Sequence, residues 1–352
     1  MNLSNFLPLS LGLIIFSFLF TAVLVVPFID VLYKIKLVRR KEGDAGGKKK
    51  SLLDRLHDKK AGTPVGGGIL LVAVISVLFG FLMPVISSLG VFVSSSFGLG
   101  REIFVLFVAF LSFAAIGLLD DIVKIFGKPR PGNLGAMFGL SKKQKFILQW
   151  VAGLLLGGLL HWLLGIRIIH VPLFDLVFDI GLLYVPFSAF VIVFFANAFN
   201  ITDGLDGLSS GLLMIYIFAY IIIAVGNLDT PIFIFLSLWL GSLMAFLYFN
   251  IPPARIFLGD TGALSFGATI AVIGLIIGNV TTLFIIGGIF VLEAVSSLVQ
   301  MIGWRYLQRP LLPIAPFHHA LEAIGWEEPK IVMRAWLAGV MLAIFGLWLA
   351  TI

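Results

Sequence analysis

The sequence predicts an all-α integral membrane protein of about ten transmembrane helices. Hydrophobic residues make up 60% of its 352 residues and charged residues only 12%, whereas a soluble domain carries about 25% charged residues. The apolar residues form runs close to the roughly 20 residues that a helix needs to cross the hydrocarbon. The basic residues collect in alternate connections between these runs. We therefore expect one polytopic transmembrane domain over residues 1–352.

The apolar runs give ten candidate spans, of which the third and fifth are the shortest. The eighth and ninth are so close that a tight turn over Asn279 to Thr282 must join them. No basic residue precedes the first run, so we expect a retained helix and not a cleaved signal peptide. The chain has no Cys, which excludes disulfides and thiol chemistry. The spans are 6–30, 66–89, 102–119, 146–165, 181–197, 209–226, 231–249, 263–279, 282–303 and 331–350.

Basic residues indicate the orientation of the spans. The connections after the odd-numbered spans hold 22 of the 24 Lys and Arg residues, and only Arg101 and Arg167 lie elsewhere. Short basic loops stay in the cytoplasm, so we expect these connections to be cytoplasmic and both termini to be extracytoplasmic. Orientation also accounts for the net charge of +6, and we expect no nucleic-acid partner.

The polar residues that are unusual in a membrane protein all lie on these odd connections. Any one of them has an ordinary explanation, such as a helix cap, a solvated surface or a turn. Five Asp residues at the mouths of apolar spans would repel one another, however, and charges there tend to mark function. The set comprises Lys59, Lys60, Thr63, Asp120, Asp121, Lys124, Asn197, Asn200, Asp203, Asp206, Asn250, Asp260, His318 and His319.

A divalent cation would relieve this repulsion. Oxygen donors without Cys suit a hard ion such as Mg²⁺, which binds through one or two carboxylates, waters and substrate phosphate. Glycines flank the Asp residues, and helix starts near 207 and 262 would point N–H groups at a phosphate. The sequence therefore predicts a Mg²⁺–phosphate site at the cytoplasmic face. A nucleotide-hydrolase phosphate loop is excluded, because its Gly-x-x-x-x-Gly-Lys-Ser/Thr motif does not occur.

In the order of these residues the chain resembles the polyprenyl-phosphate N-acetylhexosamine-1-phosphate transferase superfamily, and within it the phospho-N-acetylmuramoyl-pentapeptide transferase family. The likeness extends over nearly the whole chain. Besides the Asp cluster it is carried by 59–68, by 139–146, by the spacing of Glu293 and Gln300, and by 316–330. The chain departs from the family pattern at Val65-Gly66, at Ala320 in place of a third His, at Leu321, and at 251–261, which reads more like the GlcNAc-1-phosphate branch.

The resemblance implies Mg²⁺-dependent transfer of phospho-MurNAc-pentapeptide from UDP-MurNAc-pentapeptide to undecaprenyl phosphate. The products would be lipid I and UMP, in peptidoglycan synthesis at the bacterial cytoplasmic membrane. The family also implies contact with membrane lipid and a homodimer. Three alternatives stay open, namely GlcNAc-1-phosphate transfer from UDP-GlcNAc, an ion-coupled transporter, and an inactive scaffold. A transporter would place its carboxylates nearer the midplane of the membrane.

Family positions also imply roles for individual residues. Asp260 would be the leading Mg²⁺ ligand, with Asn200, and Asp120 would be the base that deprotonates the lipid phosphate, supported by Asp121. A covalent route with an Asp nucleophile stays open. Asp206, Phe257 and Gln300 would surround the uracil. The other implied substrate-binding residues are Lys59, Lys60, Thr63, Lys124, Asn197, Asn200, Asp203, Gly204, Leu205, Asn250, His318 and His319.

Overall fold

The computed structural model describes residues 3–39, 60–89, 93–126, 140–171 and 176–351. Within these ranges nine helices are long and apolar enough to cross a membrane, and one bent pair can supply a tenth span. This confirms the prediction of a multi-pass helical membrane protein.

The helices follow the predicted spans, although most of them are longer than the apolar runs. The third continues past its apolar run over Asp120, Asp121 and Lys124, because these side chains find partners there. Short helical turns extend α4 over Leu159–Leu163 and α10 over Gly303–Leu307, and another precedes α5 at Gly181–Leu183. The helices are α1 (Leu3–Lys34), α2 (Gly67–Ser88), α3 (Leu99–Phe126), α4 (Lys142–Gly158), α5 (Tyr184–Thr202), α6 (Leu208–Gly226), α7 (Thr230–Asn250), α8 (Gly259–Ile276), α9 (Val280–Ile286), α10 (Gly288–Ile302), α11 (Phe317–Ala323) and α12 (Glu328–Ala350).

The predicted ninth span is broken. Its two parts, α9 and the helix that starts with α10, meet at an angle of 79°. The break lies at Gly287, where an added Cβ would stand 2.7 Å from the ring of Phe195. The predicted tight turn before α9 is present, and Asn279 caps that helix by accepting a hydrogen bond of 3.0 Å from the backbone N–H of Thr282.

The helices are accompanied by one small β element that the sequence did not predict. Strands β1 (Ile168–Val171) and β2 (Leu176–Asp179) form an antiparallel hairpin between α4 and α5, with Ile168 opposite Asp179. Strand β1 is rich in β-branched residues and β2 contains Val and Phe, which favour extended pairing. Each strand has only 4 residues, so a search for long apolar runs alone passes over the hairpin.

The core lies around α7 and α8. Helix α8 packs against α2, α3 and α5, while α1, α2 and α6 surround α7. Aromatic rings join these helices, with Phe110 of α3 lying 5.2 Å from Phe235 and Trp239 lying 4.9 Å from Phe266 between ring centroids.

The first turn of α8 is crossed closely by α3. A Cβ on Gly117 would stand 2.1 Å from the backbone oxygen of Asp260, so only glycine permits this approach. The crossing brings the end of α3, with its two Asp residues, directly against the start of α8.

Candidate active site

Asp120 and Asp121 are both buried, yet they contact different partners. Successive residues on a helix point about 100° apart. Asp121 consequently faces the start of α8, whereas Asp120 faces the start of α4. The sequence presents two identical residues at this point, and the helix gives them separate surroundings.

Asp121 binds the first turn of α8. Its Oδ1 accepts the backbone N–H of Asp260 at 2.9 Å, and its Oδ2 accepts the backbone N–H of Thr261 at 2.9 Å and the Thr261 hydroxyl at 2.7 Å. The first N–H groups of a helix have no partner within the helix itself. Asp121 supplies that partner, so these N–H groups do not face a phosphate as the sequence suggested.

Asp260 lies at the centre of a cluster of charges. Its Oδ2 accepts Lys124 Nζ at 2.7 Å and also Lys145 Nζ, while its Oδ1 accepts Asn200 Nδ2 at 3.0 Å. Both ammonium groups also lie 3.0 Å from Asp120 Oδ2. The structure thus brings Asp120, Lys124, Asn200 and Asp260 together as predicted, and it adds Lys145.

Sequence reasoning missed Lys145, which counted there only as a basic residue of a cytoplasmic loop. The available signal was its motif, since it lies within the Gly139–Phe146 segment that carries the family resemblance. Asp120 Oδ1 accepts the backbone N–H of Leu140 at 2.9 Å and so binds the same segment just before α4.

A turn over 203–207 forms the next part of the site. Asp203 keeps a partly exposed edge, but protein surrounds its carboxyl group, and this desolvation raises its pKa to about 7 although the Ser209 hydroxyl donates to it. Gly204 and Leu205 follow in the turn, which ends at Gly207 with a φ of 75° that favours glycine. Helix α6 starts at Leu208, close to the predicted start.

Asp206 is held from three sides. Its Oδ1 accepts Lys60 Nζ at 2.6 Å, and its Oδ2 accepts the backbone N–H of Ala254 at 2.8 Å. Glu328, at the start of α12, accepts the backbone N–H of Asp206 at 2.6 Å and also binds Lys60. Sequence reasoning missed Glu328, although its motif was part of the resemblance. Lys59 lies outside the described residues.

Two of the Asn residues predicted to bind substrate make hydrogen bonds within the protein. Asn197 donates to Gln149 at 2.7 Å and to the backbone of its own helix at 2.8 Å. Asn250 accepts the Ser210 hydroxyl at 2.8 Å and donates to the backbone oxygen of Ile256 at 2.9 Å. Their contact with substrate stays a prediction.

Phe257 borders the cluster through backbone and ring contacts. Its backbone N–H donates to Pro64 at 2.8 Å, next to Thr63, and its backbone oxygen accepts two N–H groups from the start of α2. The Arg39 guanidinium lies 5.6 Å from its ring centroid. The ring is half-buried, and its stacking on a uracil stays a prediction.

Gln300 lies on α10 and the His pair on α11, where His318 packs against Gly204 of the 203–207 turn. Gln300 makes its hydrogen bonds to the backbone of residues 311 and 312, so its contact with a base stays a prediction. His318 and His319 are buried in α11, with ring centroids 4.2 Å apart. His318 binds Glu293, and His319 binds Glu322 at 2.5 Å. Ala320, at the position of the third His, is buried beside them.

The donor set fits a hard divalent cation. Asp120 and Asp260 offer carboxylate oxygens from two helices, and Asn200 retains its amide oxygen while its Nδ2 binds Asp260. One or two carboxylates with phosphate and water is the usual coordination of Mg²⁺. Among the described residues no group of three His, Cys, Asp or Glu could hold a metal alone, so substrate oxygens would have to complete the coordination.

The chain is similar to known proteins along most of its length. Residues 103–278 match the family model described as glycosyl transferase family 4. A Bacillus pumilus phospho-N-acetylmuramoyl-pentapeptide-transferase is 34% identical over 338 residues, which cover 96% of each chain. The protein of that name from Oceanobacillus iheyensis is 33% identical over 96% of both chains. The one from Bacillus subtilis is also 33% identical, over 83% of this chain and 85% of the relative.

Proposed function

Since the chain belongs to the phospho-N-acetylmuramoyl-pentapeptide transferase family, we propose that it transfers phospho-MurNAc-pentapeptide from UDP-MurNAc-pentapeptide to undecaprenyl phosphate. An oxygen of the lipid phosphate attacks the sugar-linked phosphorus, the bond from that phosphorus to UMP breaks, and lipid I forms. The observation that carries the proposal is the cluster in which Asp120, Asp260, Lys124 and Lys145 meet. Phosphoryl transfer depends mainly on positioning and charge neutralisation, and this cluster can supply both.

Each residue of the cluster would have a distinct role in the transfer. Lys124 and Lys145 would bind phosphate oxygens, because their ammonium groups are flexible donors already gathered at one point. Asp120 would accept the proton of the lipid phosphate. Asp260, with the amide oxygen of Asn200, would hold Mg²⁺, which neutralises charge on the diphosphate when bound.

The cluster suits a reaction at a membrane surface. Asp120 lies near the end of its span and Asp260 near the start of its own, so both lie near span ends and away from the midplane. The lipid phosphate would reach them at the interface and the nucleotide from water. Together with the basic loops, this supports a cytoplasmic site in a bacterial cytoplasmic membrane. A homodimer stays a prediction from the family.

UMP release tests the proposal. Purified protein in detergent is incubated with Mg²⁺, undecaprenyl phosphate and either UDP-MurNAc-pentapeptide or UDP-GlcNAc. Release with the first donor supports the proposal, release only with the second assigns the chain to the GlcNAc-1-phosphate branch, and release with neither contradicts it. A phosphosugar–protein adduct trapped without the lipid would indicate the covalent route.

A further inference from the structure

Helix α10 carries a polar edge that binds the connection leading to α11. Glu293, Ser296 and Gln300 are spaced by three and four residues and therefore share one side of the helix. Gln300 accepts the backbone N–H groups of residues 311 and 312, and Ser296 accepts that of Phe317 at 3.0 Å. Gln300 and Ser296 bind only backbone groups of this connection, whereas Glu293 also binds a side chain.

Glu293 holds the ring of His318. Its Oε2 lies 3.0 Å from His318 Nδ1 and accepts the backbone N–H of the same residue at 3.3 Å. Both side chains are almost completely buried, at 4% and 1% exposure. An ionised carboxylate can only accept, so this hydrogen bond assigns its proton to Nδ1. The bond thereby fixes both the rotation of the ring and the atom that carries its proton.

The other ring nitrogen faces the 203–207 turn. A Cβ on Gly204 would stand 2.4 Å from His318 Nε2, so the ring edge lies directly against the backbone between Asp203 and Asp206. This buried nitrogen has no hydrogen-bond partner among the described residues. A buried polar atom without a partner is costly and uncommon, which suggests that a ligand completes it.

We propose that Glu293 is a positioning residue that aims His318 Nε2 at an oxygen of the substrate diphosphate beside Gly204. The inference rests on the proposed function, because that function supplies the diphosphate. A carboxylate behind a histidine fixes its tautomer and orientation, and removal of such a partner at metal-bound histidines commonly costs about 10- to 100-fold. We expect a loss of similar size here.

Nucleotide binding tests the role without requiring transfer. The dissociation constants of UDP and of uridine are measured for the detergent-purified full chain and for Glu293→Ala, His318→Ala and the double variant. Glu293→Ala should weaken UDP binding about 10-fold or more. It should change the affinity for uridine less than about 3-fold, since uridine has no diphosphate. In the His318→Ala background, Glu293→Ala should add less than about 2-fold, because residues that act as a unit are not additive.

Ser296→Ala is the matched control. It removes the neighbouring bond to the backbone of Phe317 and leaves the Glu293–His318 pair intact, so UDP binding should stay within about 3-fold of the parent. If Glu293→Ala does not fold, Glu293→Gln replaces it. This variant should weaken UDP binding about 3- to 10-fold, and the effect should again disappear in the His318→Ala background. Three results would each overturn the inference. Glu293→Ala could weaken UDP and uridine binding equally, it could weaken UDP binding just as much in the His318→Ala background, or it could bind UDP like the parent.

The two proposals can fail separately. A parent protein that binds UDP but releases no UMP contradicts the proposed transfer, and the UDP cycle still decides the role of Glu293. A parent that releases UMP but shows additive Glu293 and His318 effects keeps the transfer and removes the positioning role.

Discussion

Substitution of Asp121 should damage the fold of the site before it damages the chemistry. Asp121→Ala removes three hydrogen bonds to the first turn of α8 and leaves the backbone N–H groups of Asp260 and Thr261 buried without a partner. At about 2 kcal/mol for each unsatisfied N–H, the loss is about 4 kcal/mol. For a large domain this lowers the unfolding midpoint by about 8–16 °C. Displacement of Asp260 by 1 Å would also lower turnover about 100-fold.

Thermal unfolding in detergent, measured beside UMP release, checks this expectation. Thr261→Val is the matched control, because it removes only the hydroxyl bond and should cost about 1 kcal/mol, or about 2–4 °C. Asp120→Asn should keep the parental midpoint and nucleotide binding while losing most turnover. If Asp121→Ala unfolds within 4 °C of the parent and is still inactive, Asp121 acts in the chemistry and the capping argument is wrong.

Three further substitutions test the rest of the site. Asp260→Ala should abolish Mg²⁺-dependent UMP release in a protein that remains folded by size-exclusion chromatography, and full activity would remove Asp260 as the metal ligand. Lys145→Gln should lower kcat at least about 10-fold by removing one phosphate-binding charge, whereas Lys143→Gln, on the exposed side of α4, should match the parent. Asp203 binds its proton more tightly when folded, with a pKa of about 7, so its contribution to stability is lost as the pH rises through 7. The fall in unfolding midpoint between pH 5 and pH 8 should therefore be smaller in Asp203→Asn, and an unchanged fall would contradict the shifted pKa.

Hydropathy predicted the spans because lipid offers no hydrogen bonds to the backbone and so requires long apolar helices. The same reasoning could not locate the bend at Gly287. The glycine at the bend packs against the ring of Phe195, which lies on a helix almost 100 residues earlier. The hairpin of β1 and β2 was missed for a related reason, since four-residue strands in a connection leave no trace in a search for 20-residue runs.

The sequence predicted which residues share a face of the membrane, but it could not separate their roles. Asp120 and Asp121 are the same residue type at adjacent positions, and only the rotation of α3 sends one to α8 and the other to two lysines. Asn250 shows the same limit, because its partner Ser210 follows a turn 40 residues earlier. The sequence showed Glu293 only as a residue whose spacing from Gln300 matches the family motif. Its contact with His318 depends on the fold of the connection between α10 and α11.

Repulsion among the Asp residues was the sequence argument for a metal, and the structure changes that argument. Lys124 and Lys145 already lie between Asp120 and Asp260, so two positive charges balance two negative ones before any ligand arrives. An arriving diphosphate would draw the lysines away and leave the carboxylates in need of a new cation. Mg²⁺ and nucleotide should therefore bind together. We expect Mg²⁺ to raise the unfolding midpoint more in the presence of UDP than in its absence, and equal shifts in both conditions would show that the lysines do not occupy the cation's place.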